Sequence, residues 1–342
     1  PTRECSNPHP RKRIIRDMNK VEYPERFIVP YIDTVHDRIV LEIFRGCTRG
    51  CRFCQAGMIY RPIREKNFAR LKEILEKLIK TTGYDEISLV SLSTSDYSQL
   101  AELTDYLVEE YASKNVGISL PSLRLDNFSM EIANKIQKVR KSGLTFAPEA
   151  GSQRLRDVIN KGITEEDLTR ASRQAFEMGW NNIKLYFMIG LPTENYDDLD
   201  GISDLAYEVV DIYKDVHNGK FKGKFNVTVS TSTFVPKPFT PFQWNPQDMK
   251  SSVIEKQRHL VRKLKNRNIT YNYHDSDTSL MEAVFARGDR RLGKVLLRAH
   301  ELGAKFDGWD EHFDLEIWKQ AMEECGLDIS FLSLIHISEP TR

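Results

Sequence analysis

The chain has 342 residues, 40% of them apolar, with 50 lysines and arginines against 49 aspartates and glutamates. That length supports one large domain or two small ones around a proper core, and the even charge balance excludes a global field that would draw in a polyanion or a membrane surface. No run approaches ~18 apolar residues and no charged-then-apolar leader is present, so the expectation is no membrane span, no secretory signal and a cytoplasmic location.

The first 38 residues, with the basic run RKRIIRDMNK, read as a linker or arm from a longer parent. From Ile39 a short β-rich run, a loop and a helical period alternate. RIVLEIFR (38–45) is the first strand, and NFARLKEILEKLIKTTG (67–83) the first long helix, with Asn67 as its cap and Gly83 as its stop. EISLVSL with SQLAELTDYLVEEYASKN, and VGISLPSL with SMEIANKIQKVRKSG, make the second and third units. LTFAPEAG is the fourth strand, followed by a helix that Thr164 and Asp167 open as a capping box. NNIKLYFMIGLP with YDDLDGISDLAYEVVDIYKDV, and FNVTVSTSTFVP with MKSSVIEKQRHLVRKLKNRN, complete the series.

Six strand–helix units in a row imply a parallel sheet, because each strand needs a crossover helix to return. The expected fold class is α/β, a partial (β/α)6-type barrel over 39–275, with ITYNYHD as a short closing edge and a helical extension over 276–328. The end, LSLIHISEPTR, has no fold logic, so 329–342 is expected to be a non-native tail and the chain a fragment.

The five cysteines are odd in number and suit a reducing compartment better than a disulfide framework. Cys47, Cys51 and Cys54 lie in a C-x3-C-x2-C pattern directly after the first strand. A zinc site generally wants four ligands from paired C-x2-C hairpins, and no second pair exists. A ferredoxin-type cluster needs a fourth cysteine, whereas Cys5 and Cys325 are far off in sequence. Three thiolates on a cubane leave one iron free to bind a cofactor or substrate directly.

That spacing, with Phe53 before the last cysteine, resembles the radical S-adenosylmethionine superfamily. The resemblance implies a [4Fe–4S] cluster on the three cysteines, its open iron chelating S-adenosylmethionine, which one electron cleaves to methionine and a 5′-deoxyadenosyl radical. It also implies cofactor contacts at the strand ends. Phe53 belongs to this group. Ser93, Thr94 and Ser95 stand where the family usually has a Gly-Gly-Glu motif. Glu149 and Lys161 match, in the branch of methylthiotransferases and oxygen-independent coproporphyrinogen enzymes, a ribose contact and a partner of the methionine carboxylate. Gly190 lies in a Gly-Leu-Pro segment lining the adenine pocket, and Pro236 in a loop closing over it. Ser122 and Arg124 are the expected substrate contacts.

The segments VHDRIVLEIFRGCTRGCRFCQAGMIYRPIREK and EAVFARGDRRLGKVLLRAHELGAKFDGWDEHF are similar to an uncharacterised bacterial subfamily that carries an upstream cobalamin-binding-like domain. Cobalamin is therefore implied only for a full-length parent, where methyl or methylthio transfer is the expected reaction. The expected partners are an electron donor of flavodoxin or ferredoxin type and a substrate that the sequence does not identify; nucleic acid is left open. The RGDRR run reads better as a solvated helix junction than as a phosphate turn. The rival reading is an iron–sulfur redox or sensor module that does not cleave S-adenosylmethionine.

Overall fold

The computed structural model describes residues 12–32, 34–119, 144–219 and 224–329. Ser122, Arg124 and the expected third helix (129–143) lie outside the described residues, as does the tail beyond 329.

Strand β1 (Ile39–Glu42) is followed by two short strands, β2 (Phe44–Arg45) and β3 (Arg64–Glu65), which pair antiparallel around the cysteine loop. A short helix, α1 (Gln55–Ile59), sits inside that loop. Strands β4 (Glu86–Val90) and β5 (Gly117–Ser119) join β1 in a parallel three-stranded sheet of order β1-β4-β5. Ile39 and Leu41 of β1 and Ile87 and Leu89 of β4 turn to one face, because side chains alternate along a strand. Helices α2 (Phe68–Thr82) and α3 (Leu100–Tyr111) cover them with Leu71, Leu75, Leu78, Leu103 and Leu107. The expected ends of α2 are present: the Asn67 side chain accepts from the Arg70 N–H, and Gly83 closes the helix at φ 70°.

Strands β6 (Leu144–Glu149), β7 (Asn182–Ile189), β8 (Asn226–Thr233) and β9 (Ile269–Tyr273) form a second parallel sheet in simple order. After β6 comes a short helix, α4 (Gln153–Val158), and then three long crossover helices, α5 (Glu165–Glu177), α6 (Tyr196–Val216) and α7 (Lys250–Lys263). One face of the sheet, with Phe146, Ile183, Leu185, Phe187, Val227, Val229 and Ile269, packs under these helices as the larger core. The capping box of Thr164 and Asp167 is present, and Asn195 with Asp198 makes a second one at the start of α6.

Helices α8 (Ser276–Arg287), α9 (Leu292–Glu301) and α10 (Leu315–Glu324) build the expected extension around their own cluster, including Val284, Val295, Trp318 and Met322. In the RGDRR run Asp289 and Arg291 pair with each other while both stay more than half exposed, as a solvated junction should.

The expectation of six strands and an edge becomes seven parallel strands in two sheets, with no hydrogen-bonded ladder between β5 and β6 among the described residues. The α/β class and a partial barrel stand; a closed barrel is not what these strands form. No helix among the described residues is long and apolar enough to cross a membrane.

Candidate active site

The cysteine loop is tied off at its neck by the β2–β3 pairing, which joins Phe44 to Glu65 and Arg45 to Arg64. Gly46 sits there at φ 101°, and a Cβ would meet the carbonyl oxygens of Tyr60 and Pro62 at 2.9 Å, so the neck closes only around glycine. Beyond it Cys47, Cys51 and Cys54 form no disulfide, and each is partly exposed. The Cys54 N–H donates to the Cys51 carbonyl at 3.1 Å, and the Cys54 sulfur, capping α1, accepts from the Gly57 N–H at 3.3 Å. A cavity of about 530 Å³ opens beside Cys47, walled by Thr48, Arg61, Pro62 and Ile63.

Among the described residues no three His, Cys, Asp or Glu side chains converge on a single-ion site. A cubane does not ask for that convergence, since each thiolate holds a different iron. Three thiols on one loop, none in a disulfide and beside an open cavity, therefore fit a cluster better than a tetrahedral zinc.

The loop is pinned to the ends of the second sheet. The Arg52 N–H donates to the Ile159 carbonyl at 2.9 Å, and the Asn160 amide donates to the Gly50 carbonyl at 3.0 Å. The Phe242 N–H donates back to the Arg52 carbonyl at 3.3 Å, and the Gln55 amide reaches the Pro238 carbonyl at 3.2 Å. Phe53 packs against a small apolar cluster that joins Leu155 and Ile159 after β6, Met188 and Leu191 at the end of β7, and Phe234 and Phe242 after β8. Four chain segments that are remote in sequence meet here, as expected for a site at the C-terminal ends of parallel strands.

Glu149 and Lys161 are brought together, but with each other: the Lys161 ammonium donates to the Glu149 carboxylate at 3.0 Å, with side chains only 11% and 18% exposed. Glu149 stands at φ 69°, at the break in the β6–β7 register. A non-glycine residue held in that left-handed region stores backbone strain of roughly 1–3 kcal/mol, and such strain concentrates at functional sites.

Ser93 and Thr94, two of the expected cofactor contacts, stand at the start of a tight turn after β4. Both are buried, with the Ser93 hydroxyl donating to Asp96 at 2.7 Å and the Thr94 hydroxyl 3.0 Å from that of Ser91. Asp96 in turn holds Arg49 of the cysteine loop through a two-point ion pair. This turn braces the loop from below. Ser95 keeps partial exposure.

Gly190 lies at φ 78°, and its N–H donates to the Glu194 carboxylate at 2.8 Å. Lys256 of α7 reaches the same carboxylate at 2.7 Å and Asp248 at 2.6 Å. Burial would lower the Lys256 ammonium, but the two carboxylates hold it above the usual lysine range. Pro236 is buried, and its carbonyl accepts from Arg287 of α8 at 3.3 Å, so the extension helps to fix the loop after β8.

Sequence reasoning missed Arg156, which is 1% exposed and donates to the carbonyls of Ala150 and Gly151 at 3.1 and 2.9 Å. It holds the turn after β6 in shape. An arginine beside a helix start gives no local signal of such a role.

The comparisons with known proteins agree with this geometry. The profile of the Radical SAM superfamily matches residues 41–206. An uncharacterized protein of Methanocaldococcus jannaschii is 34% identical over 257 residues, covering 75% of this chain and 53% of its own length. A second protein of that organism, assigned provisionally as a methylthiotransferase, is 25% identical over 169 residues, 47% of this chain and 37% of its own. The chain thus spans about half or less of the length of these relatives. The radical S-adenosylmethionine methyltransferase TsrM from Kitasatospora setae, solved with cobalamin and a [4Fe–4S] cluster, superposes with a TM-score of 0.45 at 15% identity, over 60% of this chain and 38% of that one. With the matching model laid over the cysteine loop and the ends of β6 and β7 that meet it, residues 41–206 are a radical SAM domain, an enzyme fold that implies a [4Fe–4S] cluster and S-adenosylmethionine.

Proposed function

We propose that this chain is the radical-generating unit of a longer enzyme, with the cluster held by Cys47, Cys51 and Cys54. When bound, the cluster supplies the single electron that splits S-adenosylmethionine into methionine and a 5′-deoxyadenosyl radical. The chain's own residues position and enclose. Phe53 and the apolar cluster it joins fix the cysteine loop against the mouth of the second sheet. Lys161 offers a positive partner for the methionine carboxylate, and Glu149 an acceptor for ribose hydroxyls. The Gly190 turn, stapled by Glu194 and Lys256, forms the wall on which adenine rests together with the loop at Pro236. Ser93 acts through Asp96 and Arg49 on the loop, and the turn that carries Thr94 and Ser95 is the proposed contact for the methionine amino group of the cofactor.

The observation that carries the proposal is the meeting of the cysteine loop with the ends of β6, β7 and β8. The enzyme is placed in the cytoplasm, receives its electron from a flavodoxin- or ferredoxin-type donor, and works in its parent on methyl or methylthio transfer, a reaction supported by the provisional methylthiotransferase among its relatives. Residues 39–275 are proposed as the catalytic unit and 276–328 as its brace. Anaerobically reconstituted protein with dithionite should form 5′-deoxyadenosine slowly, read by chromatography. A fully loaded chain that forms none contradicts a self-sufficient radical unit.

The Glu149–Lys161 pair is also what the rival redox-module reading would show, since both groups satisfy each other without a cofactor. Lys161→Ala separates the two. If its ammonium turns to the methionine carboxylate, the substitution weakens S-adenosylmethionine binding by about 1.5–3 kcal/mol, the range of a charge-assisted hydrogen bond, with iron content unchanged. Calorimetric titration of both reconstituted proteins checks this; equal affinities would show that Lys161 makes no contact with the carboxylate, and binding by neither protein favours the redox module.

A further inference from the structure

The second sheet has two unlike faces. The one under α5, α6 and α7 is mainly apolar, with Thr231 and Thr233 of β8 as its buried hydroxyls. On β7 and β8 the opposite face presents Lys184, Tyr186 and Met188 beside Thr228, Ser230 and Ser232, with Asn272 of β9 alongside. An α/β barrel ordinarily fills its interior with branched apolar side chains, whereas on this face only Met188, at the strand end, joins an apolar cluster, and the rest is hydroxyls, an amide, a phenol ring and an ammonium. It is also open: Tyr186 is 38% exposed and Lys184 partly so.

The charge on this face is one-sided. Glu149 at its upper rim is neutralised by Lys161. On the equivalent face of the first sheet Glu42 is engaged by Arg45 and Lys66, and Glu86 by Arg38. Lys184 makes no ion pair among the described residues; its ammonium lies 4.6 Å above the Tyr186 ring. A cation resting on a ring face, with hydroxyl donors on the neighbouring strand, is a receptor for an oxyanion.

We propose that this face is the substrate trough and that the substrate is a small polar oxyanion, its carboxylate or phosphate taken by Lys184 and its body laid on Tyr186 and the β8 hydroxyls. The strand also sets a length. Lys184 and Met188 are four residues apart, roughly 13 Å along a strand, and the lysine side chain rises toward Tyr186, so the reacting carbon lies roughly 7–13 Å from the anion. This inference rests on the radical reading for which end of the substrate reacts, but its binding half does not.

The test is ligand-observed saturation-transfer NMR and competition titration on the reconstituted full chain, with S-adenosylmethionine present. The probes are phenyl phosphate, phenylacetate and benzyl alcohol, which share a ring to stack and differ in charge. Phenyl phosphate or phenylacetate should bind about tenfold or more tightly than benzyl alcohol, and the better of the two identifies the source of the oxyanion. Lys184→Met should remove that preference and Lys184→Arg should keep it, with thermal melts confirming that both variants fold. Equal binding of anion and alcohol, no binding of any probe, or anion binding unchanged in Lys184→Met overturns the proposal. Anion binding that depends on Lys184 in a protein forming no 5′-deoxyadenosine supports the trough while sinking the radical reading.

Discussion

Cys51→Ala should leave the chain folded but without its cluster, and therefore without any cleavage of S-adenosylmethionine. The three thiolates are the proposed protein ligands, and a loop that has lost one holds the cluster by two corners only. Wild-type protein reconstituted under anaerobic conditions should carry about four irons per chain, with broad absorption near ~400 nm. The variant should fall close to the background of added iron. Cys47→Ala and Cys54→Ala should behave alike, whereas Cys325→Ala, in the partly buried end of the helical extension, should keep the full content. Iron and sulfide assays with a visible spectrum read the result; a full cluster in Cys51→Ala would remove the basis of the assignment.

Gly151→Ala should be the most destabilising small substitution near the site. Gly151 lies in the turn between β6 and α4, pressed on the first turns of α6. An added Cβ would stand 2.2 Å from the Asp198 carbonyl oxygen, 2.3 Å from the Ile202 nitrogen and 2.6 Å from the Gly201 carbonyl carbon. All three are backbone atoms of one helix, so no side chain can swing away. The helix is further held by Arg154 and Ser152, which both bond Asp198, and by the Asn195 capping box. Relief requires the turn to lift off α6, which would also move Arg156 and the Glu149–Lys161 pair. We expect a cost of about 3 kcal/mol or more, at the upper end for overpacking, and a fall of roughly 6 °C or more in Tm. A thermal melt by circular dichroism measures it, and a Tm within 1 °C of wild type would show that the turn yields freely.

Much of the scaffold was legible because it is written in local patterns. The ends of α2 follow from Asn67 and Gly83, and the start of α5 from Thr164 and Asp167, each a residue whose chemistry satisfies an orphaned backbone group nearby. The parallel strands follow from their alternation with helical periods. The hairpin of β2 and β3 was not legible, because two-residue strands are too short to carry a period. Nor was the brace made by Ser93, Asp96 and Arg49, whose partners stand 47 positions apart. The staple of Glu194 by Lys256 spans 62 residues and is set by how α7 lies over the end of β7. The polar face of β7 escaped notice because KLYFMIG reads as an apolar run, and only the alternation of the built strand separates Lys184 and Tyr186 from Leu185 and Phe187.

The most direct test of the central claim is the electron paramagnetic resonance spectrum of the dithionite-reduced, reconstituted chain with and without S-adenosylmethionine. Coordination at an iron that lacks a protein thiolate changes that iron's ligand field. The account predicts that adding S-adenosylmethionine shifts the g values of the reduced cluster in wild type, and that no such signal exists in Cys51→Ala. A full iron complement whose spectrum is identical with and without S-adenosylmethionine would contradict it, and would leave an iron–sulfur redox module in its place.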